Sequence, residues 1–363
     1  MKLLVDAHVF DDLSQGSKTY LEGIYSAVVD KDSQDDFYFA SHDRGAIPEK
    51  LLGQANTHHL QFTGHNKFVR LGLNIPDLIK KNKIEWAHFQ YISPLVKTCP
   101  EIVTIHDLLF LEYPQYFPRD YRVIRNFLFK RSAKRAEWVL TVSEFSRAAL
   151  IRYYQLDPKK VIITPNGILD FFWEPADIAA DTGHLPGLDQ FILYVSRFEP
   201  RKNQAGLLRS YLDLQLWKQG IQLVFVGGKG IRSAEFDQRY ESLNDQIKRM
   251  ILFFRDLPSV NLKWLYQNSL LFVYPSFAEG FGIPPLEAIA CGANVICSGA
   301  TAMSEFRFLG DRLFEPTRRD EMTQKMDFYL KHPSTDSSTS IRDHVRNQYS
   351  WDVAAQRFLS IFR

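Results

Sequence analysis

The chain has 363 residues, with 45% hydrophobic and 24% charged side chains and a formal net charge of +2. This composition is typical of a globular protein with about two domains, and it excludes a disordered or collagen-like chain. The near-balance of charge disfavours binding to a phosphate backbone, so nucleic acid is not an expected partner.

Cysteine usage and the apolar runs favour a cytoplasmic protein. Cys99, Cys291 and Cys297 are odd in number and contain no Cys-x-x-Cys pair, so neither a disulfide framework nor a zinc site is expected. Strand-like sequence begins at Lys2 and leaves no room for a signal peptide. No apolar run approaches the roughly 20 residues that a membrane span needs.

The first half of the chain alternates strand-like and helix-like segments. The apolar run KLLVDAHVF from Lys2 predicts a buried strand, and a polar turn at 11–17 follows it. Further strands are predicted at Phe37–Ala40, Trp86–Phe89, Ile102–His106, Trp138–Val142 and Val161–Thr164, and helices at Tyr20–Val29, Phe68–Lys80 and Tyr121–Arg135. Strand followed by helix, repeated, predicts a parallel sheet covered on both faces.

A second alternating series follows a Pro-, Gly- and Ala-rich segment at Phe171–Leu188, which we interpret as an interdomain linker. Strands are predicted at Phe191–Val195, Leu223–Val226, Ile251–Phe254, Leu270–Tyr274 and Val295–Cys297, and helices at Ala205–Leu216, Glu235–Met250, Pro285–Ala290 and Tyr349–Phe362. The fold class is therefore α/β with two doubly wound, Rossmann-like domains, at 1–172 and 173–349. Residues 350–363 form a last helix, expected to pack on the first domain through Trp351 and Phe358.

The stretch EGFGIPPLE from Glu279 to Glu287 is the strongest chemical signal. A strand ends before it, a loop contains Gly280 and Gly282, and a proline pair opens a helix. Free backbone N–H groups of the loop and helix start suit a phosphate or a sugar, and both glutamates are able to accept hydrogen bonds from hydroxyls of one ligand. A helix start with two surface glutamates fits the spacing equally well.

Two other segments place polar residues at strand ends, where open α/β sheets bind their ligands. SRFEPRKN puts the cations Arg197 and Lys202 after one strand, where they are able to neutralise a diphosphate; a solvated charged loop is the alternative. His106 follows a strand of the first half, where it is either structural or a ligand contact. Gly16 either lets a phosphate approach the backbone or serves only the turn.

Taken together, these segments resemble the retaining glycosyltransferases of family 4, which have the GT-B fold. EGFGIPPLE resembles their Glu-x7-Glu motif, and further matching segments occur in the same order. These are the turn at Gly16, IHD at Ile105–Asp107, TVSEFS at Thr141–Ser146, TPNGI at Thr164–Ile168, SRFEPRKN, FVYPS at Phe272–Ser276 and the terminal YSW helix. The resemblance covers nearly the whole chain and implies two domains facing a cleft.

The resemblance also implies roles for single residues. Arg197 and Lys202 are similar to the donor-diphosphate clamp, Glu287 to the ribose ligand, and Glu279 to the residue that holds the transferred sugar. The backbone of Gly280, Phe281, Gly282 and Ile283 would share that task, His106 would line the sugar pocket, and Gly16 would approach the phosphates and the acceptor. The nucleobase would lie near Arg255 and Leu257. The turn has one glycine where the family often has two, which leaves its acceptor-side geometry open.

The implied reaction is a hexosyl transfer that retains anomeric configuration, from a nucleotide-diphosphate sugar to a saccharide or lipid-linked hydroxyl in polysaccharide biosynthesis. HDLLFLEYPQYFP from His106 resembles bacterial polysaccharide mannosyl- and rhamnosyltransferases, which favours GDP-mannose as the donor. No cofactor is required, because the cations are able to stabilise the leaving diphosphate without a metal. Asp30-Lys31-Asp32 has the form of a metal-binding Asp-x-Asp, but its polar surroundings favour a solvated connection.

Three other functions compete with transfer. A dehydrogenase is disfavoured, since no Gly-x-Gly-x-x-Gly follows the first strand of either domain. A GT-B-fold nucleotide-sugar epimerase and a non-catalytic nucleotide-sugar-binding subunit remain alternatives.

Two further segments have other possible interpretations. The glycine-rich turn at 226–230 lacks the P-loop spacing, so it does not indicate an ATP site. Tyr121–Arg135 carries six cations and fits either a peripheral contact with the inner face of a membrane or a solvated helix packed on the sheet.

Overall fold

The computed structural model describes every residue except 12–14, 33, 65, 175–184, 186, 229, 232, 334–335 and 363. Much of the predicted linker Phe171–Leu188, and parts of the turns at 11–17 and 226–230, lie outside the described residues. The chain divides into two compact units. Unit 1 comprises Met1–Gly167 and Tyr349–Arg363, and unit 2 comprises Ile168–Gln348.

Unit 1 is built on a parallel sheet of seven strands in its described part. Its strands are β1 (Lys2–Asp6), β2 (Asp36–Ser41), β3 (Thr57–Gln61), β4 (Trp86–Gln90), β5 (Glu101–Thr104), β6 (Trp138–Thr141) and β7 (Val161–Ile163). Their order in the sheet is β3-β2-β1-β4-β5-β6-β7. The order reverses between β2 and β4 around β1, and such a reversal is where doubly wound sheets open a crevice for ligands.

The helices of unit 1 cover this sheet. Those before Gly167 are α1 (Gln15–Lys31), α2 (Glu49–Leu52), α3 (Lys67–Val69), α4 (Ile75–Asn82), α5 (Leu109–Glu112), α6 (Arg119–Arg135) and α7 (Glu144–Tyr154). The core under them is apolar on successive strands, with Leu4, Phe89, Val103 and Val139 fully buried in one cluster. Each such side chain contributes about 1.5–3 kcal/mol relative to exposure, which explains why the parallel strands are almost continuously hydrophobic.

Unit 2 repeats the same architecture with a six-stranded parallel sheet in its described part. Its strands are β8 (Phe191–Val195), β9 (Gln222–Val226), β10 (Ile251–Phe254), β11 (Leu271–Tyr274), β12 (Val295–Ser298) and β13 (Leu313–Phe314), in the order β10-β9-β8-β11-β12-β13. Its helices are α8 (Asp170–Trp173), α9 (Gln204–Asp213), α10 (Ala234–Glu241), α11 (Asp245–Lys248), α12 (Ser259–Asn268), α13 (Ile283–Ala290), α14 (Arg319–Lys331) and α15 (Asp336–Gln348). The predicted fold class, two Rossmann-like α/β domains, is confirmed.

The last helix, α16 (Trp351–Leu359), packs on α1 within unit 1, as its apolar positions predict. The Trp351 ring lies edge-on to Tyr20, with centroids 6.1 Å apart. Phe358 is fully buried and lies edge-on to Tyr25 at 5.6 Å. Gly23 has no side chain where a Cβ would overlap the Trp351 ring, so this glycine permits the close approach of the two helices.

Several predicted elements have different bounds in the structure. The strand from Lys2 ends at Asp6, and a 3₁₀ turn follows at His8–Phe10. The helix predicted at Glu235–Met250 is two helices, α10 and α11, because Asn244 caps a new start by accepting a hydrogen bond from the Ile247 N–H at 3.0 Å. In the described part of the chain, no helix is long and apolar enough to cross a membrane.

Candidate active site

Two loops of unit 2 are joined at the carboxyl ends of neighbouring strands β8 and β11. The loop after β8 ends in a 3₁₀ turn at Pro200–Lys202, and Asn203 then caps α9 by accepting from the Gly206 N–H at 3.2 Å. The Asn203 amide donates to the Pro275 carbonyl at 3.1 Å. The Phe277 N–H donates to the Arg201 carbonyl at 2.7 Å. These bonds hold the loop after β11 against the loop after β8.

Glu279 lies at the centre of this junction and is almost fully buried. Its Oε1 accepts from Lys202 Nζ at 2.5 Å, from the Tyr274 hydroxyl at 2.9 Å and from the Ser276 hydroxyl at 2.7 Å. Its Oε2 accepts from Arg201 Nη1 at 3.0 Å. Burial alone would raise the pKa of Glu279, but the charges of Lys202 and Arg201 and the hydrogen bonds lower it to about 2. The group is therefore a carboxylate at every physiological pH.

The hydrogen bonds that Glu279 already makes limit how it could hold the transferred sugar, which is its predicted role. Oε1 has three donors, which fills its capacity, whereas Oε2 has one donor among the described residues and retains acceptor capacity. A sugar hydroxyl would therefore reach Glu279 through Oε2. The role stays a prediction, and the structure also makes Glu279 the counter-ion of two cations, the buried Lys202 and the partly buried Arg201.

Arg201 is a member of this cluster that sequence reasoning missed. Its Nη1 contacts both Glu279 and the Ala278 carbonyl, the latter at 2.7 Å, and its Nε lies 2.8 Å from Glu199 Oε2. Arg197, which was predicted as one half of the diphosphate clamp, has a side chain that is 64% exposed, with Nε 3.9 Å from Glu199 Oε1. The sequence signal was the cation adjacent to Lys202, but spacing does not show which arginine faces Glu279.

The helix start after Glu279 is shaped by one glycine. Gly282 is the N-cap of α13 and has φ +103°, a conformation that favours glycine. A Cβ at this position would also lie only 3.0 Å from Met303 Cγ. Gly280 and Phe281 are buried in the loop, and Ile283 is the first helical residue. The loop therefore turns tightly into the start of α13, where the N–H groups of Gly282 and Ile283 have no helical acceptor and the prolines at 284 and 285 have no N–H.

Glu287 lies on α13 eight residues after Glu279. Its Oε2 accepts from the Tyr266 hydroxyl at 3.0 Å, and its Oε1 has no hydrogen-bond partner among the described residues. Burial raises the pKa of Glu287 to about 7, which the hydrogen bond from Tyr266 opposes. Tyr266, on α12, was not identified from the sequence. The pair leaves one carboxylate oxygen able to accept from a ligand hydroxyl.

The predicted nucleobase residues follow β10. Arg255 lines a cavity of about 530 Å³ together with Gly227 and Gly230 and with four aromatic rings, those of Phe198, Phe236, Tyr240 and Phe253. Leu257 is half-buried and does not line this cavity. The cavity lies at the carboxyl ends of β8, β9 and β10, since Phe198, Gly227 and Arg255 each follow one of these strands.

In unit 1, His106 follows β5, and its Nε2 lies 3.3 Å from Gln90 Oε1. The ring is edge-on to Tyr20, with centroids 4.8 Å apart, and burial lowers the pKa of His106 to about 4. Gly16 lies in the first turn of α1 rather than in the preceding turn. The centroids of the Tyr91 and His106 rings are 5.4 Å apart.

The Asp-x-Asp segment is in surface contacts at the end of α1. Asp30 Oδ1 accepts from the Gln54 amide at 3.4 Å, and Asp32 Oδ1 accepts from the backbone N–H groups of Gln34 and Asp35 at 3.0 and 3.2 Å. Within the described parts of the chain, no group of three or more His, Cys, Asp or Glu residues is arranged to hold a metal ion. The segment serves as a local cap of the chain.

Comparison with known proteins identifies the family. The glycosyltransferase family 4 model matches residues 37–169, and the model described as glycosyl transferases group 1 matches residues 181–348. Escherichia coli O-antigen chain mannosyltransferase B is 28% identical over 273 residues, which cover 72% of this chain and 70% of that protein. O-antigen chain mannosyltransferase RfbU of Salmonella typhimurium is 28% identical over 58% of this chain and 55% of its own length. The chain spans 27% of the E. coli serotype-specific mannosyltransferase WbdA, also at 28% identity.

Solved structures show the same fold. Sucrose-phosphate synthase from Thermosynechococcus elongatus aligns over 100% of this chain and 98% of its own, with a TM-score of 0.75 and 19% identity. Anabaena Alr3699/HepE in complex with UDP-glucose aligns over 100% of this chain and 99% of its own, with a TM-score of 0.68 and 16% identity. With family models matching more than four fifths of its residues, the chain belongs to the GT-B glycosyltransferases, with a family 4 domain followed by a group 1 domain.

Proposed function

We propose that this glycosyltransferase moves a mannosyl group from GDP-mannose to a hydroxyl of a saccharide or lipid-linked acceptor in polysaccharide biosynthesis, with retention of anomeric configuration. The names of its relatives support the sugar and the process, because three of them are O-antigen or serotype-specific mannosyltransferases. The buried Lys202–Glu279 pair beside the start of α13 carries the proposal.

The chemistry of unit 2 suits a nucleotide diphosphate. Lys202 donates to Glu279 and Tyr274, which leaves one of its three ammonium N–H groups without a partner among the described residues. That N–H and the exposed Arg197 supply positive charge for a diphosphate. The Oε1 atom of Glu287 is available to accept from a ribose hydroxyl. The backbone N–H groups of Gly282 and Ile283 at the start of α13 would complete the site.

The proposed step replaces one bond at the anomeric carbon by another on the same face. The bond from this carbon to the diphosphate oxygen breaks, and a bond to the acceptor hydroxyl oxygen forms. The hydroxyl proton passes to the departing phosphate, whose charge Lys202 and Arg197 stabilise. Because cationic side chains carry out this stabilisation, we propose that the reaction needs no divalent metal.

The first test is ligand-dependent stability. A nucleotide at 100 times its dissociation constant stabilises the folded protein by about 2.7 kcal/mol, so GDP should raise the melting temperature more than UDP, ADP or dTDP. Incubation with GDP-mannose and a mannose-containing oligosaccharide in EDTA should then give an α-linked product by NMR. A Lys218→Met variant, which changes an exposed lysine of unit 2, serves as the control for Lys202→Met.

Each outcome discriminates between functions. Stabilisation by UDP instead of GDP would overturn the donor assignment, and activity restored only by manganese would overturn metal independence. A new nucleotide sugar without an acceptor would identify an epimerase. Tight GDP-mannose binding without any turnover would identify a binding subunit.

The same proposal includes peripheral contact with a membrane through one face of α6. Val123, Ile124 and Phe127 lie on the side opposite the buried Phe129 and Ala133 and are 58–69% exposed. Basic side chains border them, at Lys130 and Lys134. Exposed apolar side chains within a basic border fit an anionic lipid surface, which is where a lipid-linked acceptor would lie.

Vesicle co-sedimentation tests this contact. The protein should sediment with vesicles containing phosphatidylglycerol and not with phosphatidylcholine alone, and added salt should release it. Substituting Val123 and Phe127 by Ser should abolish sedimentation, whereas Lys80→Glu with Lys81→Glu, exposed lysines at the end of α4, should leave most of it. Equal loss in both variants would indicate non-specific charge attraction and contradict a defined membrane face.

A further inference from the structure

Gln90 ends β4 with a buried amide side chain next to His106. The two residues emerge at the same edge of the sheet, because Gln90 pairs with Thr104 in the parallel β4–β5 register and His106 lies two residues further on. Gln90 is 4% exposed, and its Oε1 lies 3.3 Å from His106 Nε2. The amide nitrogen of Gln90, Nε2, has no partner among the described residues. Within that part of the chain, the Gln90 side chain is therefore held by its hydrogen bond to His106.

The backbone holds this side chain in place. Tyr91, directly after Gln90, has φ +62°, which is unusual for a bulky non-glycine residue. Its N–H donates to the Thr104 carbonyl at 2.8 Å, and the Ile92 N–H donates back to the Gln90 carbonyl at 2.7 Å. The Tyr91 ring stacks on Phe129 at 4.9 Å. A strained turn kept by so many contacts is typical of functional sites.

The hydrogen bond assigns the protons of the His106 ring. Neutral imidazole carries one N–H, and the Gln90 atom that faces Nε2 is the amide oxygen, which only accepts; the contact is therefore a hydrogen bond in the tautomer with its N–H on Nε2. The ring is half-buried and packs against Tyr20 and Tyr91, with His88 and Asp107 as its other titratable neighbours. Nδ1 has no hydrogen-bond partner in the part of the chain that the structure describes, and as the unprotonated nitrogen it is an acceptor.

We propose that Gln90 is a positioning residue that fixes His106 in the Nε2–H tautomer, so that Nδ1 accepts a hydrogen bond from a hydroxyl of the sugar substrate. The assignment of a sugar to His106 rests on the proposed function. The tautomer itself does not, because it follows from the contact between the two side chains. Gln90 acts through His106 and need not touch the substrate.

The test is ¹⁵N NMR of the His106 ring in the free protein, with Gln90→Leu, Gln90→Glu and Gln61→Leu as variants. Gln61 ends the edge strand β3 of the same sheet, is exposed, and its side-chain amide donates to the His42 carbonyl at 3.3 Å. At pH 7.5 the wild type and Gln61→Leu should show a protonated Nε2 and an unprotonated Nδ1. Gln90→Leu should show a mixture of tautomers. Gln90→Glu should keep the tautomer and raise the pKa of His106, because a carboxylate stabilises the imidazolium.

Transfer kinetics then connect the tautomer to the reaction. Gln90→Leu should lower kcat by about tenfold, and Gln61→Leu should match the wild type. Gln90→Glu should be active only at a pH above the pKa of His106 in that variant, where the imidazole is neutral. A protonated Nδ1 in the wild type, or an unchanged ring spectrum in Gln90→Leu, would overturn the proposal. Absence of glycosyl transfer by every variant, the wild type included, would refute the proposed function and leave the NMR result standing on its own.

Discussion

Lys202 and Glu279 are 77 positions apart in the chain, and their Nζ and Oε1 atoms are 2.5 Å apart in a buried ion pair. The pair joins the loop after β8 to the loop after β11. Arg201 adds a second cation on the other carboxylate oxygen. Because Lys202 and Glu279 are buried and Arg201 is only partly exposed, the pair fixes the position of a lysine N–H that has no partner among the described residues. The stability of the pair and its function are therefore expected to change together.

Lys202→Met and Arg197→Met should therefore differ. Removing one partner of a buried pair leaves an uncompensated charge, at a cost of roughly 3–5 kcal/mol, which Arg201 offsets in part. We expect Lys202→Met to lower the melting temperature and to weaken GDP-mannose binding at least about tenfold, or roughly 1.4 kcal/mol. Arg197 is exposed, so Arg197→Met should change stability by less than about 0.5 kcal/mol and still slow transfer.

Differential scanning fluorimetry and isothermal titration calorimetry on both variants test this difference, with Lys218→Met as the control. Equal destabilisation by the two substitutions would contradict the placement of Arg197 outside the buried cluster. Unchanged donor affinity in both would contradict the assignment of the diphosphate to this loop.

Glu279→Gln should change how stability depends on pH. The pKa of Glu279 is lowered from its ordinary 4.5 to about 2 in the folded protein. Its charged form therefore adds stability that is fully present above pH 4.5 and is lost as the pH falls through 2. Urea unfolding should show the largest difference between wild type and Glu279→Gln above pH 5 and a shrinking difference toward pH 3. Glu241→Gln, at an exposed position on α10, should show no such trend.

The sequence predicts the fold well because burial of parallel strands leaves continuous apolar runs, such as ILFF at Ile251–Phe254. It misses β3, THHLQ, because an edge strand with polar residues lacks such a run. It also misses β13, which has two residues. The predictions for the linker and the glycine-rich turns are not tested, because parts of these segments lie outside the described residues.

The candidate site is only partly predictable, and the missing parts are long-range contacts. Glu279 and Glu287 stand out because a glycine loop and a proline pair surround them in the sequence. Tyr266 contacts Glu287 across 21 positions, and nothing local distinguishes it from other tyrosines. Arg197 and Arg201 are equally good clamp residues by spacing, and only the turn at Pro200–Lys202 decides which one faces Glu279.

Glu287→Gln should have the opposite pH trend from Glu279→Gln. Burial raises the pKa of Glu287 from 4.5 to about 7, so the folded protein binds a proton that the unfolded chain has released. Wild-type stability therefore falls as the pH rises from 4.5 to 7. Gln is neutral throughout, so the variant should lose less stability than the wild type between pH 5 and 8. A parallel fall in both proteins, measured by urea unfolding, would contradict a raised pKa.

Nucleotide binding should also release protons if Glu287 is the ribose ligand. A hydroxyl that donates to the carboxylate favours its charged form and lowers its pKa. At pH 7 the wild type should then release a fraction of a proton on binding GDP, seen as a calorimetric enthalpy that depends on the ionisation enthalpy of the buffer. Glu287→Gln should bind GDP at least about tenfold more weakly and without that dependence. A buffer-independent enthalpy in the wild type would move the ribose away from Glu287.

The contact between α16 and α1 should connect the end of the chain to the neighbourhood of His106. The Trp351 ring packs on Tyr20, and Tyr20 is edge-on to His106. A Cβ at Gly23 would overlap the Trp351 ring, so Gly23→Ala must displace it, and overpacking of this kind costs about 1–3 kcal/mol. We expect a lower melting temperature and reduced transfer, although Gly23 is not a proposed ligand residue.

Deletion of residues 350–363 should have the same effects in stronger form, because it also exposes Tyr25 and His88, which pack on Phe358. Gly72→Ala is the matched control, since a Cβ there has nothing within 4 Å. Thermal unfolding and transfer assays on Gly23→Ala, Gly72→Ala and the deletion variant distinguish the effect of losing the α16–α1 contact from the general effect of replacing a glycine. If Gly23→Ala matched Gly72→Ala in stability and activity, the packing of α16 on α1 would not support His106 in the way these contacts indicate.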